Sequence, residues 1–223
     1  METRDVVASR RSTRAFTQDP ISSAQIRELL EEASWCPSGG NVQPWKVIAV
    51  SGKARNAVAD LASSLIKQGA PSEEGAHPVY PKNLWEPYRT YRYENGEEMY
   101  AALGISREDK TARLEWLAQN FDFFGAPAGL FFILDCRMGS GQWAHLGMFI
   151  QTLMLLAHDR GLATCPQEAW ARFRDSLATH FDLGEDEIIY CGMALGYADT
   201  IAPVNTWIPS RAPVESFARF EGF

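Results

Sequence analysis

The stretch Pro37-Ser-Gly-Gly-Asn-Val-Gln-Pro-Trp45 joins a helical pattern, Ser22–Trp35, directly to an apolar strand pattern, Trp45–Val50. Within a few residues it offers backbone donors, a hydroxyl and two amides. Adjacent glycines let the main chain approach a flat ligand where a β-carbon would intrude. Asn41 and Gln43 each carry a donor and an acceptor, which suits an imide-like edge whose donors and acceptors alternate. A helix terminus capped by a left-handed Gly39 accounts for one glycine. It leaves the second glycine and the Asn-x-Gln pair without a role, so the stretch reads as a ligand loop.

Upstream lies Ser9-Arg-Arg-Ser-Thr-Arg14. The chain is acidic, with 21 Lys and Arg against 28 Asp and Glu and a net charge of −7. Yet Arg4, Arg10, Arg11 and Arg14 crowd its start. Arginines beside serine hydroxyls supply forked, charge-assisted donors suited to a phosphate. Nucleic acid would call for a broader basic surface. One segment therefore suits a phosphate and another a polar heterocycle.

Together these residues resemble the FMN-dependent nitroreductase family. The resemblance extends through Gly161-Leu-Ala-Thr-Cys-Pro-Gln-Glu168, Gly192-Met-Ala-Leu-Gly196-Tyr197 and Pro209-Ser-Arg211-x-Pro213, from the N-terminus to the tail. It is similar in particular to the branch that reduces nitrobenzoate-like and other nitroaromatic compounds. The resemblance implies an α+β fold, a mixed and mainly antiparallel sheet flanked by helices, assembled as an intertwined homodimer with FMN at the interface. By the same resemblance, Arg10, Ser12 and Arg211 hold the phosphate, with Arg11 beside them and Arg14 holding either phosphate or a loop carboxylate. Pro37, Ser38, Gly39 and Asn41 approach the flavin ring from the second subunit. Pro166, Gln167 and Glu168 lie against the ring, and Gln119 or Asn120 meets its polar edge. NADH or NADPH is the implied donor, and a small electron-poor acceptor follows it into one shared pocket. No catalytic side chain is named, because the cofactor carries the difficult chemistry. The same fold could instead serve an enone, quinone or halogenated-phenol reductase, a flavin reductase, or a non-catalytic flavin-binding protein.

A chain of 223 residues fits a single domain spanning 1–223. Its composition, 46% hydrophobic and 22% charged, suits a soluble globular protein. No basic start leads into an apolar run, so no signal peptide is expected. The apolar stretch Leu146–Ala157 falls short of the ~20 residues of a membrane span, and a cytoplasmic protein that binds neither membrane nor nucleic acid is expected. Cys36, Cys136, Cys165 and Cys191 are scattered, and His77, His145, His158 and His180 form no metal-binding spacing, so no metal site is expected.

Helices are expected over residues 2–9, Ser22–Trp35, Lys53–Gln68, Arg107–Asn120 and Gln142–Arg160, and strands over Trp45–Val50, Leu130–Asp135 and Ile188–Gly196. Gly69–Gly104, interrupted by Pro71, Pro78, Pro81 and Pro87, reads as an irregular excursion over the substrate opening or a partner subunit. Gln142–Arg160 is apolar nearly all round and needs enclosure, most simply at a subunit interface. The tail from Asp199 mixes prolines with apolar side chains, as an extended arm on a second subunit would. Gly139-Ser-Gly-Gln-Trp-Ala144 imitates a dinucleotide fingerprint. Its following acid, Asp159, however, remains within the helical run rather than ending a strand, so the match reads as coincidence.

Overall fold

The computed structural model describes residues 2–74 and 77–223; residues 75 and 76 of the 69–104 excursion, and residue 1, lie outside the described residues. A four-stranded sheet with order β1-β2-β4-β3 forms its centre. The strands are β1 (Lys46–Ser51), β2 (Ala128–Asp135), β3 (Ala163–Gln167) and β4 (Glu187–Gly196). All three pairings are antiparallel, and the parallel component is a single bridge between Ser12 and Thr164 at the β3 edge. This is the mixed, mainly antiparallel sheet that the sequence led us to expect.

Strand β2 is buried over nearly its whole length, and its alternating side chains feed two separate cores. Leu130, Phe132 and Leu134 face α2 (Ser23–Ala33) and α6 (Ser140–Asp159), while Phe131 and Ile133 join an aromatic cluster with Phe123, Trp170 and Phe173. Helix α3 (Gly52–Lys67) closes the aromatic side through Val58 and Ala62. A strand covered on both faces must be apolar at every position, which is how Leu130–Asp135 announces itself in the sequence.

Local chemistry explains where these helices begin. Ser22 caps α2 through a reciprocal box with Gln25, and Asp109 accepts from the Ala112 N–H at 2.9 Å to start α5 (Lys110–Ala118). The first helix, α1, runs Thr3–Ser9. The excursion contains a helix that the sequence reading missed, α4 (Tyr88–Ala102). All four prolines precede it, and Pro87 stands at its N-cap, where no intrahelical N–H bond is lost. Among the described residues of the excursion, 69–74 and 77–87 are irregular and 103–104 form a turn. Strand β3 was also missed, because Pro166 interrupts a short run. An edge strand tolerates it. Helix α7 (Arg174–His180) was not anticipated either, and the tail forms only a short α8 (Pro203–Thr206) and a turn at Val214–Ser216.

Helix α6 buries Leu146, Phe149, Ile150, Leu153, Met154 and Ala157 along one side. Ala144, Met148 and Gln151 remain exposed on another, at the i, i+4, i+7 spacing of a stripe. Gly139 and Asp159 are respectively the N-cap and last residue of this helix. Strands β2 and β3, on either side of it in sequence, are separated by β4. The adjacent parallel strands of a dinucleotide unit are missing, so the fingerprint match is indeed a coincidence.

Candidate functional site

The arginine cluster owes its position to a thread of chain, residues 12–17, stitched between β3 and the beginning of the tail. The Thr13 N–H donates to Thr164 O at 2.9 Å, Thr17 N–H to Tyr197 O at 2.9 Å, and Asp199 N–H to Ala15 O at 3.0 Å. Asn205 locks the thread from the far side. Its Oδ1 accepts from Arg14 N–H at 2.8 Å, and its Nδ2 donates to both Ala15 O and Asp199 O at 2.8 Å. Nothing in the sequence singles out Asn205, because two of its three partners are main-chain groups about 190 residues away.

Within this frame the arginines divide their work. Arg11 donates to Ala8 O at 2.6 Å and Arg10 O at 3.0 Å, closing the end of α1, which makes it structural. Arg10 is half-buried. Burial first, then the charges of Arg211 and Arg11, lower its basicity below the ordinary value. The tail thus brings Arg211 into electrostatic range of Arg10 although some 200 residues separate them. Arg14 donates to Ser12 O at 3.3 Å, and no carboxylate holds it. Among the described residues none of Arg10, Arg11, Arg14 and Arg211 enters an ion pair, although the chain carries an excess of acid. Clustered like charges without a counterion make a site for an anion.

Arg14 also lines a cavity of about 1340 Å³, together with Asn120, Pro166, Gln167 and Glu168. That exceeds the roughly 300–1,000 Å³ of a usual small-molecule pocket, leaving room for a large ligand and a second small one. Helix α6 supplies Gly147, Ile150, Gln151 and Met154, and the excursion supplies Tyr80, Tyr93 and Tyr100. Gln167 is buried. Its Nε2 donates to Asn120 O at 2.7 Å and its Oε1 accepts from Trp170 Nε1 at 3.4 Å, so it serves as wall rather than as a free amide. Asn120 likewise uses its Nδ2 on Leu117 O at 2.9 Å. Gln119 is exposed at the end of α5 and does not line the cavity, whereas Asn120 does. Glu168 accepts from Tyr190 Oη at 3.2 Å. Burial, and then the Glu168 charge, raise the Tyr190 pKa and keep it a neutral donor.

The loop at Pro37–Trp45 is elsewhere. Pro37, Ser38, Gly39 and Asn41 do not line the cavity. Helix α2 ends at Ala33 with Ser34 right-handed, so Gly39 is not a left-handed cap. Positive φ falls on Gly40, Asn41 and Gln43, at 59°, 54° and 52°. Gly39 is needed for close approach instead, since a Cβ there would lie 3.0 Å from His145 Cε1 on α6. Its N–H donates to His145 Nε2 at 3.3 Å, and Ser38 Oγ accepts from Gln43 N–H at 3.0 Å. The left-handed conformation costs about 1–3 kcal/mol at Gln43 and less at Asn41, whose short amide tolerates it. Asn41, Val42 and Gln43 are exposed, as is nearby Trp35, at 89%.

Residues 7–197 match the Nitroreductase family. The chain is 40% identical to a 4-nitrobenzoate reductase of Pseudomonas putida over 219 residues, covering 98% of this chain and 95% of that protein. It is 35% identical to a nitrobenzene nitroreductase of Ectopseudomonas oleovorans, covering 97% and 95% respectively. The crystal structure of an FMN and NADPH-dependent nitroreductase, NfnB from Sphigopyxis sp. strain HMH, superposes with a TM-score of 0.97 at 40% identity, over 100% of both chains. The family match covers residues 7–197, and the relatives and the superposed structure span nearly the whole chain: the chain belongs to the nitroreductase family.

Proposed function

We propose that this protein is an FMN-dependent NAD(P)H oxidoreductase that reduces nitroaromatic compounds and works as a cytoplasmic homodimer. The observation that carries the proposal is the unneutralised arginine cluster joined, through Arg14, to an aromatic-walled cavity. A mononucleotide phosphate fits the cluster, and a planar ring fits the cavity beside Pro166–Glu168. Arg10, Ser12 and Arg211 hold the phosphate in this reading, with Arg14 between phosphate and ring. Pro166, Gln167 and Glu168 back the ring, and Asn120 borders it. Bound there, FMN supplies hydride acceptance from NADH or NADPH and hydride delivery to an electron-poor acceptor.

The protein's own contribution is placement and polarity. Gln167 ties β3 to the segment carrying Asn120, which keeps the wall rigid, and a rigid polar wall stabilises developing charge without reorganising. Pro37, Ser38, Gly39 and Asn41 complete the site of a second subunit. Exposed Met148 on α6 and the exposed tail residues Ile208, Phe217, Phe220 and Phe223 support this arrangement, since they offer apolar surface that a second chain would cover. The excursion over the opening and the tail arm belong to one domain. Free cysteines at 36, 136, 165 and 191, three of them buried, support a reducing compartment.

The deciding experiment is an anaerobic titration of the purified yellow protein. NADPH or NADH bleaches the flavin absorbance, and an added nitroaromatic restores it. Chromatography of flavin released on denaturation yields FMN. Recovery of FAD refutes the cofactor, and flavin that resists both donors reduces the protein to a flavin binder.

A further inference from the structure

On the reading that nitroaromatic compounds are reduced here, we propose that the cavity selects an acceptor bearing a carboxylate, recognised by Arg92 and Lys82. Five cations line the cavity, Arg14, Lys82, Arg89, Arg92 and Arg172, against the carboxylates Glu74, Glu97 and Glu168. This local excess runs against the −7 charge of the chain.

Pairing decides which of these charges remain available. Glu97 takes a forked bond from Arg113, at 2.6 and 3.1 Å. Glu74 accepts from Val79 N–H at 3.0 Å and Ser72 Oγ at 3.1 Å, and Glu168 accepts from Tyr190. Arg89 pairs with Glu86, Arg172 donates to Ala70 O at 3.2 Å, and Arg14 belongs to the phosphate cluster. Arg92 and Lys82 are left. Among the described residues neither makes a hydrogen bond or ion pair. Arg92 rests its guanidinium 4.3 Å from the centre of the Tyr80 ring, a contact that orients the group while using none of its N–H donors.

The same segment supplies the rings of Tyr80, Tyr93 and Tyr100 to the cavity. A flat, electron-poor ring packs against them, and a carboxylate on that ring meets an oriented, unspent N–H fork. Aromatic walls and free cations on one segment favour an aromatic carboxylate over the 2′-phosphate of the donor, which offers an anion on a sugar.

The test uses the FMN-loaded protein. Binding of 4-nitrobenzoate and of nitrobenzene to the oxidised holoenzyme is measured by flavin absorbance perturbation, in wild type, Arg92→Met and Lys82→Met. Loss of an exposed charged contact, worth up to about 1 kcal/mol, lowers the ratio of 4-nitrobenzoate to nitrobenzene affinity by up to about fivefold in Arg92→Met. Arg92→Lys recovers part of it. The binding arm needs no turnover, so a selective loss supports the proposal even if neither compound is reduced. Equal weakening of both compounds, or an unchanged ratio in both methionine variants, overturns it. So does a KM change confined to NADPH relative to NADH, which would assign the cations to the donor's phosphate.

Discussion

Gly192→Ala puts the buried aromatic core behind the cavity to the test. Gly192 stands opposite Phe131 in the β2–β4 pair, and a Cβ there would lie 2.8 Å from Trp170 Nε1 and 3.0 Å from Cγ, with Cδ1 nearer still. Trp170 cannot retreat freely. It is fully buried, with ring centroids 5.2, 4.9 and 5.1 Å from Phe121, Phe123 and Phe131. Relieving the clash moves the indole by roughly an ångström through a close-packed cluster. Overpacking of a rigid site costs about 2–3 kcal/mol. For a chain of this size that lowers Tm by about 4–12 °C. Trp170 also bonds Gln167, which bonds Asn120, so FMN affinity falls with stability. Gly96→Ala on α4 is the control. It meets nothing within 4 Å, and helix propensity predicts a gain of about 0.5–1 kcal/mol. Thermal unfolding of both proteins provides the measurement. A Gly192→Ala protein that melts within about 2 °C of wild type would refute the claim that this glycine exists to seat Trp170.

Three further outcomes are expected. Arg211→Ala weakens FMN binding more than Arg219→Ala, by roughly 1.5–3 kcal/mol or about ten- to over a hundredfold, because Arg211 acts on Arg10 whereas Arg219 pairs with Glu221; equal flavin titrations would contradict this. Deleting residues 207–223 keeps Asn205 and its bonds to the thread, yet loses dimer and FMN together by sedimentation and flavin absorbance; a fully flavinated dimer would refute the arm. Arg137 holds the Asp135 carboxyl at about 2, below its ordinary pKa. Its stabilisation is therefore present above the ordinary aspartate value of about 4 and is lost as pH falls toward 2. Asp135→Asn accordingly loses Tm less steeply over that interval, and parallel Tm–pH curves would remove Asp135 from the acid response.

Local physics was legible in the sequence because it is short-ranged. Ser22 with Gln25 announces a helix start, and the unbroken apolar run of β2 announces a strand buried on both faces. The arginines crowded around Ser12 and the two glycines beside Asn41 raised the expectation of an anion and a flat ligand; folding leaves the arginines without ion pairs among the described residues and sets the glycine loop away from the cavity. Where the reading failed, a local signal was misjudged. The prolines of the excursion masked α4, although all stand before its first turn, and Pro166 masked β3, although an edge strand accommodates it.

What only the tertiary structure decided is which of these groups remain free. The sequence determined that Arg10, Arg11, Arg14 and Arg211 could all meet an anion. Folding turns Arg11 onto the α1 carbonyls, brings Arg211 to Arg10 and faces Arg14 into the cavity. It buries the Gln167 amide between Asn120 and Trp170, and leaves Arg92 on a tyrosine ring with its donors unspent. A residue type sets the bonds a side chain can make. Whether they are already made depends on its neighbours. For Arg11 and Arg92 the deciding neighbours are close in sequence, but for Gln167 and Asn120 or Arg14 and Asn205 they lie some 50 to 190 positions away, and chain connectivity alone does not encode those encounters.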